Sequence, residues 1–155
     1  MNIFNFQEKK KIPNFKKKFK NINIGFTNGC FDLIHPGHID FFDKCKKKCD
    51  LLIVGINSDN SIKLIKGINK PLIKEKYRAI HLSNLTNVDY VIIFNELSPL
   101  KLIKFLKPDV LFKGIEYQYR NIIGYEYMKK NNKQVIRIKT LNKKIFSSSM
   151  LIKKL

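Results

Sequence analysis

Two histidines, His35 and His38, flank a Pro-Gly pair in "GFTNGCFDLIHPGH" (Gly25 to His38), and that spacing admits more than one chemistry. If Pro36 takes the first position of a helix, its missing N–H costs nothing. Gly37 then lets a ligand approach a free backbone amide, and His38 falls on the same side of the first turn as His35. Free amides and the positive end of the helix dipole form an anion site, to which two imidazoles add directional donors. Zinc fits less well: the motif offers no third ligand, and a metalloprotease pattern would place the histidines four apart around a Glu. The bland alternative is a turn with a packed histidine. Placement after an apolar run and before an amphipathic one favours phosphate contact.

Further residues point the same way. Ser147, Ser148 and Ser149 open the last helical pattern with hydroxyls that can cap it or hold a phosphate, and capping alone needs only one. Lys63, Lys66 and Lys70 follow the second apolar run, although lysine is so common here that any one of them carries little weight. The chain has neither G-x-x-x-x-G-K-[ST] nor G-x-G-x-x-G, so it is neither a P-loop NTPase nor an ordinary dinucleotide binder. Cys30, Cys45 and Cys49 cannot all pair, and no second Cys/His pair follows Cys45 and Cys49 at zinc-finger spacing. The expectation is reduced thiols and no bound metal. His81 lies in an apolar helical pattern and reads as packing.

The elements that must position these groups alternate in type. Ile22 to Thr27, Leu51 to Ile56, Tyr90 to Phe94, Val110 to Gly114 and Val135 to Lys139 are apolar runs of strand length. Their continuous apolar character suits a parallel sheet covered on both faces. Helical patterns fall at Gly37 to Lys48, Lys74 to Leu85, Pro99 to Leu106, Ile122 to Asn131 and Ser148 to the C-terminus, with Ser98-Pro99 as a cap and first position. This order predicts an α/β, Rossmann-like three-layer α/β/α sandwich on a five-stranded parallel sheet with right-handed crossovers. Residues 1–20 read as an N-terminal arm covering one sheet edge, and 21–155 as one domain. Ligands of such sheets sit beyond the carboxyl ends of the strands, where the histidine motif and the lysine and serine segments fall.

Composition constrains partners only loosely. The net charge of +19 would ordinarily suggest nucleic acid or a membrane surface. However, Lys, Ile, Asn, Phe and Tyr make up roughly half of the chain, far above ordinary usage. All five have A/T-rich codons, so the lysines read as compositional background, spread throughout rather than gathered in a patch. No apolar run is long enough for a signal peptide or a membrane span. A cytoplasmic protein with no specific nucleic acid and no membrane is expected.

Taken in order, "TNGCFDLIHPGH", "LLIVGINSD", "IKGINKP", "KPDVLFKG" and the terminal "SSS" resemble the cytidylyltransferase-like nucleotidyltransferases. Within them, "NELSP", "LKPDVLFKG" and "NIIGYEYM" are most similar to the heptose 1-phosphate adenylyltransferases. The resemblance covers Asn21 to Leu155. It implies transfer of AMP from ATP to a sugar phosphate with release of pyrophosphate, and Mg²⁺ arriving with the ATP. It also implies His35, His38 and Lys66 as catalytic, and Thr27, Asn28, Gly29, Cys30, Phe31, Gly37, Lys113, Gly114 and Ser147 to Ser149 against the nucleotide. Lys63, Lys70 and Arg78 are implied as substrate or phosphate contacts. A homo-oligomer and a separate kinase supplying the sugar phosphate follow from the same likeness. The chain departs from the family at Lys113-Gly114-Ile115-Glu116-Tyr117, where Lys-Gly-Gly-Asp-Tyr is usual, at Lys70-Pro71 in place of Arg-Pro, and in lacking a Gly shortly before the serine run. Alternatives are a cytidylyltransferase acting on glycerol 3-phosphate or a related alcohol phosphate, an inactive relative that binds nucleotide, and a basic nucleic-acid-binding module.

Overall fold

The computed structural model describes residues 2–141. In chain order these form β1 (Ile3–Asn5), a 3₁₀ turn (Phe6–Lys11), α1 (Phe15–Lys18), β2 (Ile24–Gly29), α2 (Pro36–Lys46), β3 (Leu51–Asn57), α3 (Asp59–Lys66) and α4 (Glu75–Ser83). β4 (Tyr90–Phe94), α5 (Leu100–Leu106), β5 (Val110–Gly114), a 3₁₀ turn (Tyr119–Asn121), α6 (Tyr125–Lys130) and β6 (Gln134–Ile138) follow. The helix expected from Ser148 onward lies outside the described residues.

All strand pairs are parallel, in the order β1-β4-β3-β2-β5-β6. The apolar runs are continuous because the sheet is covered on both faces: all seven residues of β3 are buried. Alternate side chains then feed two cores. Phe26, Ile53, Ile92 and Leu111 pack with Leu102, Ile103 and Met128 from α5 and α6. Leu52, Val54, Val91 and Phe112 pack on the other face with Phe41, Phe42 and Cys45 of α2 and Ala79 and Leu82 of α4. Cys45 is buried in this helix–sheet layer, where the Cys49 thiol donates to the Cys45 carbonyl at 3.4 Å. Burial pushes the Cys49 thiol up to about 11 and the Cys45 thiol higher still, so both stay protonated at neutral pH.

The Rossmann-like α/β sandwich is as expected, with two differences. The sheet has six strands rather than five, because Ile3–Asn5 pairs with β4 at the sheet edge. Phe6, Ile12 and Phe15 are also buried in the core, leaving the intervening lysines outside. The aromatic–lysine alternation of the first residues is thus the signature of a segment with one buried side. The second difference is α3, a helix additional to the helical patterns expected from the sequence. Ser58 caps it, accepting from the Ser61 amide, and Gly67 ends it with φ +99°.

At the edge of the sheet away from the strand carboxyl ends, Asp109 joins three elements. Its carboxylate accepts from the Ile24 amide at 2.9 Å and Lys133 at 2.8 Å, and also pairs with Lys16. Burial alone would raise its pKa, but the hydrogen bonds from Lys133, Lys16 and Ile24 outweigh burial and hold it below the ordinary aspartate value. A carboxylate depressed in the folded state stabilises above its unfolded pKa, and that contribution is lost as pH falls through the folded value. Asp109→Asn should therefore lower the melting temperature at pH 7 and leave a shallower loss of stability below about pH 4. Parallel acid limbs in thermal melts of the two proteins would contradict this linkage.

Candidate active site

From β2 the chain moves outward through β3 to β4, then returns across β2 to build β5 and β6 on its other side. The carboxyl ends of β2 and β5 therefore border the crevice where strand order reverses, the usual ligand position in such sheets. Asn28 and Gly29 end one strand, and Lys113 and Gly114 end the other.

Between β2 and α2 the chain makes a tight loop. Phe31 adopts φ +47°, a left-handed conformation uncommon outside glycine, and its ring lies 5.3 Å from both His38 and Phe42. That ring occupies the space a side chain on Gly29 would need, coming within 3.0 Å of a Cβ built there. His35 caps α2 in extended conformation and Pro36 takes the first turn, as the motif predicts. The His38 amide bonds to the His35 carbonyl at 2.8 Å, and the Gly37 amide has no acceptor within the helix. The two imidazoles stack with ring centroids 3.8 Å apart and 26° between planes. Their edges lie side by side at the positive end of α2, an arrangement suited to gripping one anion. Beside His35 a cavity of about 530 Å³, lined by Ile34, Ile39, Asp40 and Leu141, has room for part of a ligand.

Lys113 faces this loop from β5. Its ammonium donates to the Asn28 carbonyl at 3.1 Å and to Asn28 Oδ1 at 2.6 Å, and lies 5.7 Å from the Tyr117 ring centroid. Desolvation lowers its pKa to about 8, with Glu116 and Cys30 opposing the shift. The Glu116 carboxylate folds back over Gly114, where a Cβ would overlap it. Ile115, where the family has Gly, is about half exposed. Arg137 of β6 holds this segment through a hydrogen bond to the Tyr117 carbonyl at 3.1 Å and its guanidinium over the Tyr119 ring.

Because Lys113 loses its charge as pH rises through about 8, affinity for an anion held in this crevice should be flat at lower pH and weaken above it. The limit is about tenfold per pH unit if only the ammonium form binds. Equilibrium binding of inorganic triphosphate between pH 6.5 and 9.5 measures this, and Lys113→Met should bind more weakly and abolish the alkaline limb. An unchanged limb in that variant would assign the titration elsewhere.

Several sequence expectations need correction. Thr27 is 1% exposed, so its side chain belongs to the core and the solvent-accessible part of the loop begins at Asn28. Arg78 is fully buried, and its guanidinium is committed to protein groups: Ile73, Cys30 and Asn57 carbonyls at 2.9, 2.6 and 2.9 Å, and Asp59 Oδ1 at 2.8 Å. It ties the β2–α2 loop to the segment before α4 and to the end of β3, with no exposed surface left for a ligand. His81 is exposed on α4, outside the packed face formed by Arg78, Ala79 and Leu82. Lys63 and Lys66 are exposed on α3 and form no ion pair among the described residues, while Lys70 is half-buried in the segment before α4. Ser147, Ser148 and Ser149 lie outside the described residues. The sequence reading missed Asp32, Asp59 and Glu75. Asp59 and Glu75 cap each other's helices, the Asp59 amide donating to Glu75 at 2.6 Å and the Glu75 amide to Asp59 at 2.8 Å. Ser58 followed by Asp59 signals the start of α3, whereas the pairing of Asp59 with Glu75, 16 residues on, depends on how α3 and α4 meet.

A β2–α2 turn carrying two stacked imidazoles at the switch point of an all-parallel sheet defines a Rossmann-like α/β protein. The cytidylyltransferase-like family model matches residues 26–154, and the chain belongs to that family. It is 51% identical over 109 residues to the "Bifunctional protein HldE" of Helicobacter pylori strain HPAG1, covering 70% of this chain and 24% of that protein. The protein of the same name from Caulobacter vibrioides is 48% identical over 105 residues, covering 68% and 22%. The chain thus spans about a quarter of the length of the curated relatives it matches. Among solved structures, the lipopolysaccharide core biosynthesis protein from Thermoplasma volcanium GSS1 superposes with a TM-score of 0.66 at 27% identity, covering 79% of this chain and all of that one. No helix among the described residues is long and apolar enough to cross a membrane.

Proposed function

We propose that this chain transfers AMP from ATP to heptose 1-phosphate, releasing pyrophosphate and giving ADP-heptose for lipopolysaccharide core synthesis. The observation that carries this reading is the stacked His35–His38 pair at the start of α2, in the turn that follows β2, whose carboxyl end Lys113 meets at Asn28. An oxygen of the sugar phosphate attacks the α-phosphorus of ATP in line. The new P–O bond forms as the bond to the bridging oxygen of the β-phosphate breaks, and that oxygen leaves with pyrophosphate. No covalent enzyme intermediate is needed, so catalysis consists of positioning and charge stabilisation. His35 and His38 hold the triphosphate and follow the charge as it develops at the α-phosphate. The Gly37 amide adds a donor, the backbone of Asn28 to Phe31 lies against the nucleotide, and Lys113 supplies positive charge from β5. Lys66 would reach the phosphates only by extending from the exposed end of α3.

Mg²⁺ would enter with ATP and offset its phosphate charge. Among the described residues no group of three His, Cys, Asp or Glu side chains is placed to hold a metal, and Asp32 is committed to backbone amides. The residues present therefore fit an ion held by phosphate oxygens and water. A kinase, on the same chain or a separate one, supplies the sugar phosphate, in keeping with the bifunctional relatives.

Pyrophosphate release from each of four nucleoside triphosphates against a panel of sugar and alcohol phosphates tests the reading. ATP with heptose 1-phosphate should be the preferred pair. Preference for CTP with glycerol 3-phosphate would replace it with a cytidylyltransferase, and nucleotide binding without turnover would make the chain an inactive relative.

A further inference from the structure

We propose that Asp32 is a positioning residue whose carboxylate clamps the segment 70–74 onto the phosphate loop and so sets Lys70 at the mouth of the site. Asp32 lies in the loop between the strained Phe31 and the α2 cap His35. Its Oδ1 accepts from the Leu72 amide at 2.9 Å and the Ile73 amide at 2.9 Å, and its Oδ2 accepts from the Leu72 amide at 3.0 Å. Hydrogen bonds to an ionised acceptor are among the stronger ones, and these join segments 40 and 41 residues apart. Ile73 is held from its other side as well, because its carbonyl accepts from Arg78 Nε at 2.9 Å while Arg78 Nη1 donates to the Cys30 carbonyl at 2.6 Å. Asp32 and Arg78 thus sew the same two segments together, one through amides and the other through carbonyls.

This seam has a consequence for charge. Gly67 to Asn69 are exposed, and the chain comes down onto the protein at Lys70, which is half-buried two residues before the clamped Leu72. A lysine delivered to the rim of a phosphate loop serves a substrate phosphate, so the role assigned to Lys70 rests on the nucleotidyltransferase reading. Asp32 itself touches no substrate in this scheme. Its negative charge would oppose phosphate if left open, and the two amides occupy it.

The test combines a double-mutant cycle with a direct reading of the seam. Wild type, Asp32→Ala, Lys70→Ala and the double variant are compared for pyrophosphate release with ATP and heptose 1-phosphate, for melting temperature, and for hydrogen exchange at the Leu72 and Ile73 amides. Asp32→Ala should lose protection at both amides and raise KM for one substrate about tenfold or more, since small misplacements of positioning groups are costly. Lys70→Ala should raise the same KM with protection retained, and the double variant should be no worse than Asp32→Ala within about threefold. Effects that multiply in the double variant, or an Asp32→Ala protein with wild-type protection and KM, would overturn the proposal. Should Asp32→Ala fail to fold, Asp32→Asn keeps the shape and drops the charge. It should show reduced protection and raised KM, and wild-type values for both would again refute the clamp. A wild-type chain that releases no pyrophosphate with any pair would refute the functional reading instead, while the exchange comparison would still decide whether the seam exists.

Discussion

Replacing His38 with alanine is expected to lower kcat by on the order of 10²-fold or more, with the fold intact and KM for ATP changed less than kcat. The imidazole stands at the positive end of α2, stacked at 3.8 Å on His35, and in the proposed reaction charge would build on the α-phosphate beside it. A donor used more in the transition state than in the ground state shows itself in kcat. His35→Ala should behave similarly. The double variant should lose much less than the product of the two factors, because both rings serve one anion and each orients the other. Steady-state kinetics with melting curves as a fold control provide the measurement. A His38→Ala enzyme as active as wild type would mean that the reaction is carried elsewhere.

Arg78→Met should destabilise the protein by about 3 kcal/mol, toward the lower end of what breaking a buried ion pair costs. The lower end applies because Asp59 keeps 25% of its side-chain exposure, so water recovers part of the lost interaction, while Arg78 itself has none. The variant also strips hydrogen bonds from the Ile73, Cys30 and Asn57 carbonyls. Arg78→Lys should recover little, since one ammonium cannot span acceptors arranged for a planar fork. The shift in urea midpoint at constant m-value reads this out. Full stability combined with a raised KM would return Arg78 to the substrate-contact role implied by the family resemblance.

These two residues show how differently the site was written into the chain. The His35–His38 pair was legible because everything it needs is local. A strand run, small residues, a proline able to start a helix and two imidazoles one turn apart lie within Gly25 to His38. Arg78 was expected to contact substrate or phosphate because the family resemblance implies an arginine in that role. Which way it faces depends on α4 packing beside β3 and β4, and nothing within the helix's own sequence specifies that.

The same division holds throughout. By itself the sequence determined the alternation of apolar runs and amphipathic helices, hence a parallel sheet covered on both faces, and the chemistry of the β2–α2 turn. It also held, without making it plain, the edge strand Ile3–Asn5, which is too short for its period to be recognised before its neighbour β4 is known. Tertiary structure alone decided which distant groups meet. Lys113 reaches Asn28 across 85 residues, and Asp32 reaches Leu72 across 40. Side-chain periodicity reports which face a residue takes within its own element, whereas these contacts depend on the order in which strands are laid side by side. Return of the chain across β2 to form β5 brings Lys113 to the β2–α2 loop, where loss of water lowers its pKa to about 8.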